Sequence, residues 1–154
     1  MILSVEELAK MLEVGRLEPW ATQQQIVEAC ATAIQYSCGA FFVSLGYVPI
    51  VAEELKKSDT KLGVPIGFPL GTTSPEVKAF ETQQAAEAGA EELDMCINRQ
   101  RLKSGDYEFV YEDIRAVVDA AGDGVTKVIF QTCELTEEEI IRGSELAKKA
   151  GARF

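Results

Sequence analysis

The sequence predicts an α/β protein built from parallel βα repeats, and two observations support this fold class. Short apolar segments that follow a glycine or a turn alternate with longer segments of helical periodicity. The apolar segments begin near residues 40, 62, 91, 125 and 152, and a helical segment separates each from the next. Strands that alternate with helices are typical of a parallel sheet, because each helix makes the connection between two strands.

The chain length leaves two architectures open. A chain of 154 residues is expected to form one domain, here residues 1–154. A doubly wound five-stranded sheet suits this length. The alternative is an incomplete (β/α)₈ barrel with about five strands and the start of a sixth, since a full barrel takes about 250 residues.

The helices are predicted from capping residues and apolar spacing. Three segments match a capping box, in which Ser or Thr precedes Glu or Gln by three residues: Ser4 with Glu7, Thr22 with Gln25, and Thr136 with Glu139. The predicted helices run from Ser4 to about Glu13, from Thr22 to Gly39, from Val48 to Lys57, from Ser74 to Gly89, from Asp106 to Ala121, and from Thr136 to Gly151.

The strands are predicted from apolar runs between these helices. They cover Ala40–Leu45, Leu62–Ile66, Glu91–Ile97 and Val125–Gln131, and Ala152–Phe154 resembles the opening of one more. Pro65 weakens the second prediction because proline cannot donate to a sheet ladder.

The composition excludes several classes of function. The chain has 25 acidic and 15 basic residues, a net charge of −10, and no histidine. An acidic chain without a basic run is not expected to bind nucleic acid or a membrane surface. The absence of histidine removes His-based acid–base chemistry and most zinc sites. No carboxylate cluster has the spacing of a metal loop, and no dinucleotide or P-loop signature occurs, so neither a metal nor a cofactor is expected.

The cysteines and the N-terminus predict a cytoplasmic protein. The four cysteines are irregularly spaced and form no C-x-x-C pair, which favours reduced thiols over disulfides. The first residues show neither a basic region followed by an apolar run nor a membrane span.

Charged side chains interrupt two of the predicted strands. Alternation places Leu93, Met95 and Ile97 on one face of their strand and Asp94 on the other, while Lys127 and Gln131 share a face of the next strand. Neighbouring strands would bring Asp94 and Lys127 together, inside the barrel if the sheet closes. The pair is either a structural ion pair or a catalytic one. A partly desolvated lysine can have the lowered pKa that Schiff-base chemistry needs.

These segments also carry a resemblance to a known family. The matching blocks occur in order and in register over nearly the whole chain from about Leu12: Pro19–Thr22, Tyr47–Pro49, Gly67–Gly71, Glu76–Lys78, Glu92–Asn98, Leu102–Tyr107, Lys127–Ile129 and Thr132–Thr136. On these motifs the chain resembles the deoxyribose-phosphate aldolases.

The resemblance implies a fold, a reaction and a site. The family forms (β/α)₈ barrels that cleave 2-deoxyribose 5-phosphate reversibly to glyceraldehyde 3-phosphate and acetaldehyde, without a metal, through a lysine Schiff base. Asp94 matches the catalytic aspartate, and Lys127 matches a lysine inside the barrel that accompanies the site. Gly67, Phe68 and Pro69, which could otherwise be a simple turn, match a loop on the substrate side. A phosphorylated sugar or a small aldehyde is the implied ligand.

The chain departs from the family pattern at positions that serve the site. The Schiff-base lysine of the sixth strand has no counterpart, because the matching segment ends at Ala152–Phe154. Glu13 stands at the position of a family aspartate near the N-terminus, and Gln131 stands at the position of a glutamate.

Three interpretations of the function follow. The first is a deoxyribose-phosphate aldolase by descent, inactive as this chain alone. The second is a non-catalytic half barrel that serves as an oligomeric or partner-binding module, since an incomplete sheet has open edges and a homo-oligomer would cover them. The third, an unrelated receiver-like domain, lacks the acidic residues that a receiver needs after its first and third strands.

Overall fold

Five parallel strands form one sheet in the computed structural model, which describes residues 3–154. The strands pair in sequence order: β1 (Glu13–Arg16), β2 (Ala40–Val43), β3 (Lys61–Ile66), β4 (Glu92–Cys96) and β5 (Val125–Ile129). A doubly wound sheet reverses its strand order at a switch point, whereas a barrel keeps consecutive strands adjacent. The unbroken order therefore rules out the doubly wound alternative and confirms the partial barrel.

Seven helices connect or flank these strands in the described residues. They are α1 (Val5–Ala9), α2 (Gln23–Gln35), α3 (Val48–Leu55), α4 (Pro75–Glu87), α5 (Arg99–Lys103), α6 (Tyr107–Ala121) and α7 (Glu137–Ala150). All three predicted capping boxes are present, at Ser4, Thr22 and Thr136. Between residues 3 and 154, no helix combines the length and the apolar character that crossing a membrane requires.

The first strand differs from the sequence prediction. The predicted helix to Glu13 ends at Ala9, and Glu13–Arg16 pairs in parallel with Ala40–Val43. The four residues of β1 include a glycine and two charged residues, so their own strand propensity is weak. Pairing with the fully buried β2 stabilises β1, and this partner lies far along the chain.

The end of the chain extends the sheet by two hydrogen bonds. Residues 152–154 form no assigned strand, but the Arg153 amide donates to the Thr126 carbonyl at 2.8 Å. The Val128 amide donates to the Phe154 carbonyl at 3.0 Å. These bonds lie on the free edge of β5, where the predicted next strand would begin.

The two faces of the sheet differ in what covers them. Leu93, Met95 and Ile97 are fully buried in the core beneath the helices, as alternation predicts. On the opposite, concave face, Phe42 lies between two glycines on the neighbouring strands. Gly15 and Gly63 both pair with Phe42, and a Cβ at Gly63 would lie 2.4 Å from the Phe42 ring. Gly63 thus leaves room for the Phe42 ring on the concave face.

Candidate active site

Lys127 lies at the centre of a cluster of three carboxylates on the concave face. Asp94 and Lys127 are register partners on β4 and β5, and the Asp94 carboxylate lies 3.4 Å from the Lys127 ammonium. Lys127 Nζ also donates to Glu13 at 2.5 Å and to Glu92 at 2.6 Å. Asp94 and Lys127 therefore meet, as the strand pattern predicts, but in a larger network than the expected pair.

Glu13 and Glu92 are the members of this cluster that the sequence analysis did not place in it. Glu92 precedes Asp94 by two residues, so strict alternation would have assigned it to the same face. Glu13 was predicted at the end of a helix, and only its position in β1 brings it to the concave face. Because β1 and β5 are the two edges of the sheet, the contact between Glu13 and Lys127 spans a strongly curved surface.

The environment of Lys127 favours its charged form. Burial lowers the pKa of Lys127, but hydrogen bonds to Glu13 and Glu92 and the charge of Asp94 outweigh it, and the pKa is raised. The Lys127 ammonium also lies 5.0 Å from the centre of the Phe42 ring, which adds a cation–π contact. The lowered pKa that Schiff-base chemistry needs is therefore not found at Lys127.

The environment of Asp94 favours its neutral form. Burial raises the pKa of Asp94 to about 7; the charge of Lys127 opposes this shift, and those of Glu13 and Glu92 add to it. Its Oδ1 atom is buried and accepts no hydrogen bond. A carboxyl group with a pKa near neutrality is populated in both protonation states, so it can act as an acid or as a base.

A cavity of about 550 Å³ opens beside Asp94 on the concave face. Its walls include Phe42, Pro65, Phe68 and Ile129, and its size suits a small ligand. Among the described residues that line it, none is lysine or arginine. A larger cavity of about 940 Å³ lies toward the amino ends of the strands. We assign the site to the smaller one, because barrel enzymes place their chemistry at the carboxyl ends of the strands.

The loop after β3 forms one wall of this cavity. Gly67 has a φ of +63°, and its amide donates to the Glu81 carboxylate at 2.8 Å. Phe68, which is half-exposed, lines the cavity, and the Pro69 carbonyl lies 3.5 Å from Arg99 Nη2. The three residues predicted for the substrate side thus lie in a loop at the carboxyl end of the sheet.

Gln131 lies outside the cavity. The predicted strand to Gln131 ends at Ile129, and Gln131 takes a left-handed backbone conformation with a φ of 56°. Its side chain is exposed, and its amide donates to the Cys133 sulfur at 3.5 Å. The turn into a short 3₁₀ helix, Thr132–Glu134, removes Gln131 from the face that alternation assigned to it.

The possible metal ligands and the Cys96 thiol of residues 3–154 are not arranged for metal binding or nucleophilic attack. No group of three or more Cys, Asp or Glu side chains in this part of the chain is arranged to hold a metal ion. Cys96 is buried, and burial raises the pKa of its thiol to about 11, which disfavours the nucleophilic thiolate.

The pKa of Asp94 predicts a pH-dependent stability difference between the wild type and Asp94→Asn. Because the folded-state pKa of about 7 lies above 3.8, the ordinary pKa of an aspartate, the stabilising contribution of protonated Asp94 is lost as the pH rises from about 4 to 7. The free energy of unfolding of the wild type should fall over this window relative to Asp94→Asn, by about 1.4 kcal/mol per unit of pKa difference.

Urea unfolding at pH 4, 5.5, 7 and 8 measures this difference. Asp123→Asn removes an exposed carboxylate outside the cluster and serves as the control. A difference between the wild type and Asp94→Asn that stays constant from pH 4 to pH 8 would contradict the prediction.

Comparison with known proteins relates this arrangement to one family. A family model described as DeoC/LacD family aldolase matches residues 9–152. The chain is 49% identical over 150 residues to a deoxyribose-phosphate aldolase of Clostridium perfringens, covering 97% of this chain and 67% of that protein. It is 48% identical over 152 residues to one of Thermococcus gammatolerans, covering 96% of this chain and 68% of that protein.

Solved structures agree with this comparison. A structure from Coccidioides immitis has a TM-score of 0.94 at 37% identity, covering 97% of this chain and 59% of that one. The tetrameric deoxyribose phosphate aldolase of Aeropyrum pernix has a TM-score of 0.88 at 30% identity, covering 97% of this chain and 63% of that one. The chain thus spans about two thirds of these curated relatives and about three fifths of these structures.

Proposed function

The chain belongs to the DeoC/LacD family of aldolases, and on this basis we propose that it carries the acid–base part of a deoxyribose-phosphate aldolase site. The reaction is the reversible cleavage of 2-deoxyribose 5-phosphate to glyceraldehyde 3-phosphate and acetaldehyde. The observation that carries the proposal is the Asp94 carboxyl, with a pKa of about 7, at a cavity that suits a small ligand. Residues 1–154 act as one partial barrel domain in this proposal.

Asp94 moves protons in the proposed reaction. Aldol cleavage requires a base to remove a proton from a substrate hydroxyl, and the reverse reaction requires an acid. A group with a pKa near the working pH serves both directions. Lys127 keeps its proton and supplies positive charge beside Asp94, while Glu13 and Glu92 fix the position of its ammonium.

The lysines of the concave face do not supply the Schiff base in this proposal. Imine formation needs a neutral amine. Lys61 and Lys127 both point to the concave face, and both have a raised pKa. For Lys61 the largest cause is its hydrogen bond to Glu91. We therefore propose that the chain by itself does not cleave the sugar phosphate.

The acidic lining of the cavity suits the aldehyde end of the proposed substrate and disfavours its phosphate. The described residues that line the cavity include the carboxylates Glu13, Glu18 and Asp94 and no cationic side chain. Such a lining disfavours a phosphate and accepts a neutral carbonyl or hydroxyl group. In the proposed function the aldehyde end of a phosphorylated sugar lies beside Asp94, and its phosphate is bound by residues that the described part of the chain does not supply.

A chimera tests this function. The segment of the Clostridium perfringens relative that follows the counterpart of Phe154 is fused after Phe154. The chimera should cleave 2-deoxyribose 5-phosphate, and Asp94→Asn in the chimera should lower kcat by about 100-fold or more, because it removes the proton-transfer group. Lys61→Met, which changes the other lysine of the concave face, should leave kcat within about twofold of the chimera.

Two further results bear on the proposal. The 154-residue chain treated with acetaldehyde and borohydride should give no adduct on Lys127 by peptide mass, because its ammonium stays protonated. A folded chimera without activity, or one in which Asp94→Asn keeps full activity, would overturn the proposal.

A second candidate function is the non-catalytic, partner-binding half barrel, and an apolar groove favours it. The groove, which we call the N-terminal groove, lies between α1, β1 and α2 and has a volume of about 540 Å³. Val5, Leu8, Leu12 and Tyr36 line it and are exposed. The far edge of β1 has no strand partner in the described residues. Contiguous exposed apolar side chains beside a free strand edge are typical of an interface.

Self-association through the N-terminal groove is the expected form of this second function. Leu8→Glu should shift the sedimentation coefficient of the protein toward that of a monomer, because it places a charge in the groove. Ile141→Glu is the matched control, since Ile141 on α7 is 54% exposed and Leu8 is 50% exposed. A wild type that sediments as a monomer at high concentration, or an equal effect of both variants, would contradict this function.

The cytoplasmic location stays a prediction from the cysteine pattern.

A further inference from the structure

Lys78 is completely buried, and the proposed chemistry does not use it. Lys78 on α4 and Asp113 on α6 form an ion pair of 2.5 Å, and both side chains are 0% exposed. Lys78 Nζ also donates to the Cys96 carbonyl at 2.9 Å. One ammonium group thus joins two helices to the carboxyl end of β4.

The buried ion pair between Lys78 and Asp113 is less favourable for stability than apolar side chains of similar volume would be. Taking two charges out of water costs free energy that a well-packed apolar pair would not. The Oδ1 atom of Asp113 is buried without a hydrogen-bond partner, and burial raises the pKa of Asp113 against the opposing effect of Lys78. Packing alone therefore does not account for a lysine at this position.

The methylene groups of Lys78 support the loop that lines the cavity. A Cβ at Gly67 would lie 2.9 Å from Lys78 Cε, so the glycine backbone rests directly on this side chain. Gly67 has a positive φ, which glycine adopts without strain. Glu81, three residues further along α4, accepts the Gly67 amide at 2.8 Å. Two side chains of α4 therefore hold the start of the loop.

The same loop is also docked on the end of β4. The Gly71 amide donates to the Gly67 carbonyl at 2.8 Å and closes the loop. A Cβ at Gly71 would lie 2.4 Å from the Ile97 carbonyl and 2.9 Å from the Cys96 carbonyl. Cys96 is the residue whose carbonyl Lys78 binds, and it follows Asp94 by two positions on β4.

We propose that Lys78 is a positioning residue that fixes the loop of residues 67–71 against the carboxyl end of β4. Its ammonium, anchored by Asp113, holds the Cys96 carbonyl, and its methylene groups hold Gly67. Lys78 thereby sets where Phe68 stands relative to Asp94 across the cavity. The substrate-side role of this loop rests on the proposed function, whereas the placement of the loop by Lys78 does not.

The test replaces both charges at once. Lys78→Met/Asp113→Leu removes the ion pair while keeping apolar volume, so the protein should keep its urea midpoint. The amides of Gly67 and Gly71 should exchange with solvent about tenfold faster than in the wild type, because an anchoring hydrogen bond is lost. The ¹⁹F resonance of 4-fluorophenylalanine at position 68 should shift or broaden. Asp113→Asn is a milder variant. It should also speed the exchange of the Gly67 and Gly71 amides, but by less than the double variant does.

Thr82→Val is the matched control. Thr82 lies one turn further along α4, is equally buried, and its hydroxyl donates to the Lys78 carbonyl rather than to the loop. This variant should leave the exchange of Gly67 and Gly71 within about twofold of the wild type. Wild-type exchange rates and an unchanged ¹⁹F resonance in the double variant or in Asp113→Asn would overturn the proposal. These measurements use the ligand-free protein, so an inactive chimera would leave their outcome unchanged.

Discussion

The contact of Lys127 with three carboxylates is the interaction on which the concave face depends. It joins the first and fifth strands, because Lys127 on β5 reaches Glu13 on β1 as well as Glu92 and Asp94 on β4. Burial raises the pKa of the Asp94 carboxyl to about 7; the charge of Lys127 opposes this shift, and the charges of Glu13 and Glu92 add to it. The same contact keeps Lys127 protonated. The cluster thus links the two edges of the curved sheet and keeps Lys127 unsuited to imine formation, whereas the pKa of Asp94 is set mainly by its burial.

The two buried or half-buried lysines serve as fixed charges on opposite faces of β4. Lys127 contacts the concave face beside Asp94, whereas Lys78 binds the Cys96 carbonyl from the helical side. Both ammonium groups are held by carboxylates at short distance, and in the proposed function both act through position and charge rather than as nucleophiles. In the proposed function, groups of this chain move protons and shape the cavity, whereas the lysines of its concave face do not form the imine.

Features that depend on neighbouring residues were predictable from the sequence. The capping boxes at Ser4, Thr22 and Thr136, the core face of β4 and the meeting of Asp94 with Lys127 follow from local spacing. Other features depend on contacts that are distant in sequence. β1 forms because it pairs with β2, and without that strand Glu13 had no predicted place in the site. Lys78 finds its partner 35 residues away on α6, and no periodicity signals such a pair. Gln131 left the predicted face because a backbone turn, rather than the strand pattern, fixes its direction.

The pKa of the Lys127 ammonium tests the central claim most directly. Its side-chain Nζ resonance can be followed by ¹⁵N NMR through an alkaline titration, with Lys127→Arg used to assign the signal. Glu13, Glu92 and Asp94 should raise the midpoint above 10.5, the ordinary pKa of lysine, and Glu13→Gln should lower it again. A midpoint below that value would mean that burial outweighs the three carboxylates. Lys127 would then be a candidate for the imine, and the assignment of this chain to the proton-transfer part of the site would be wrong.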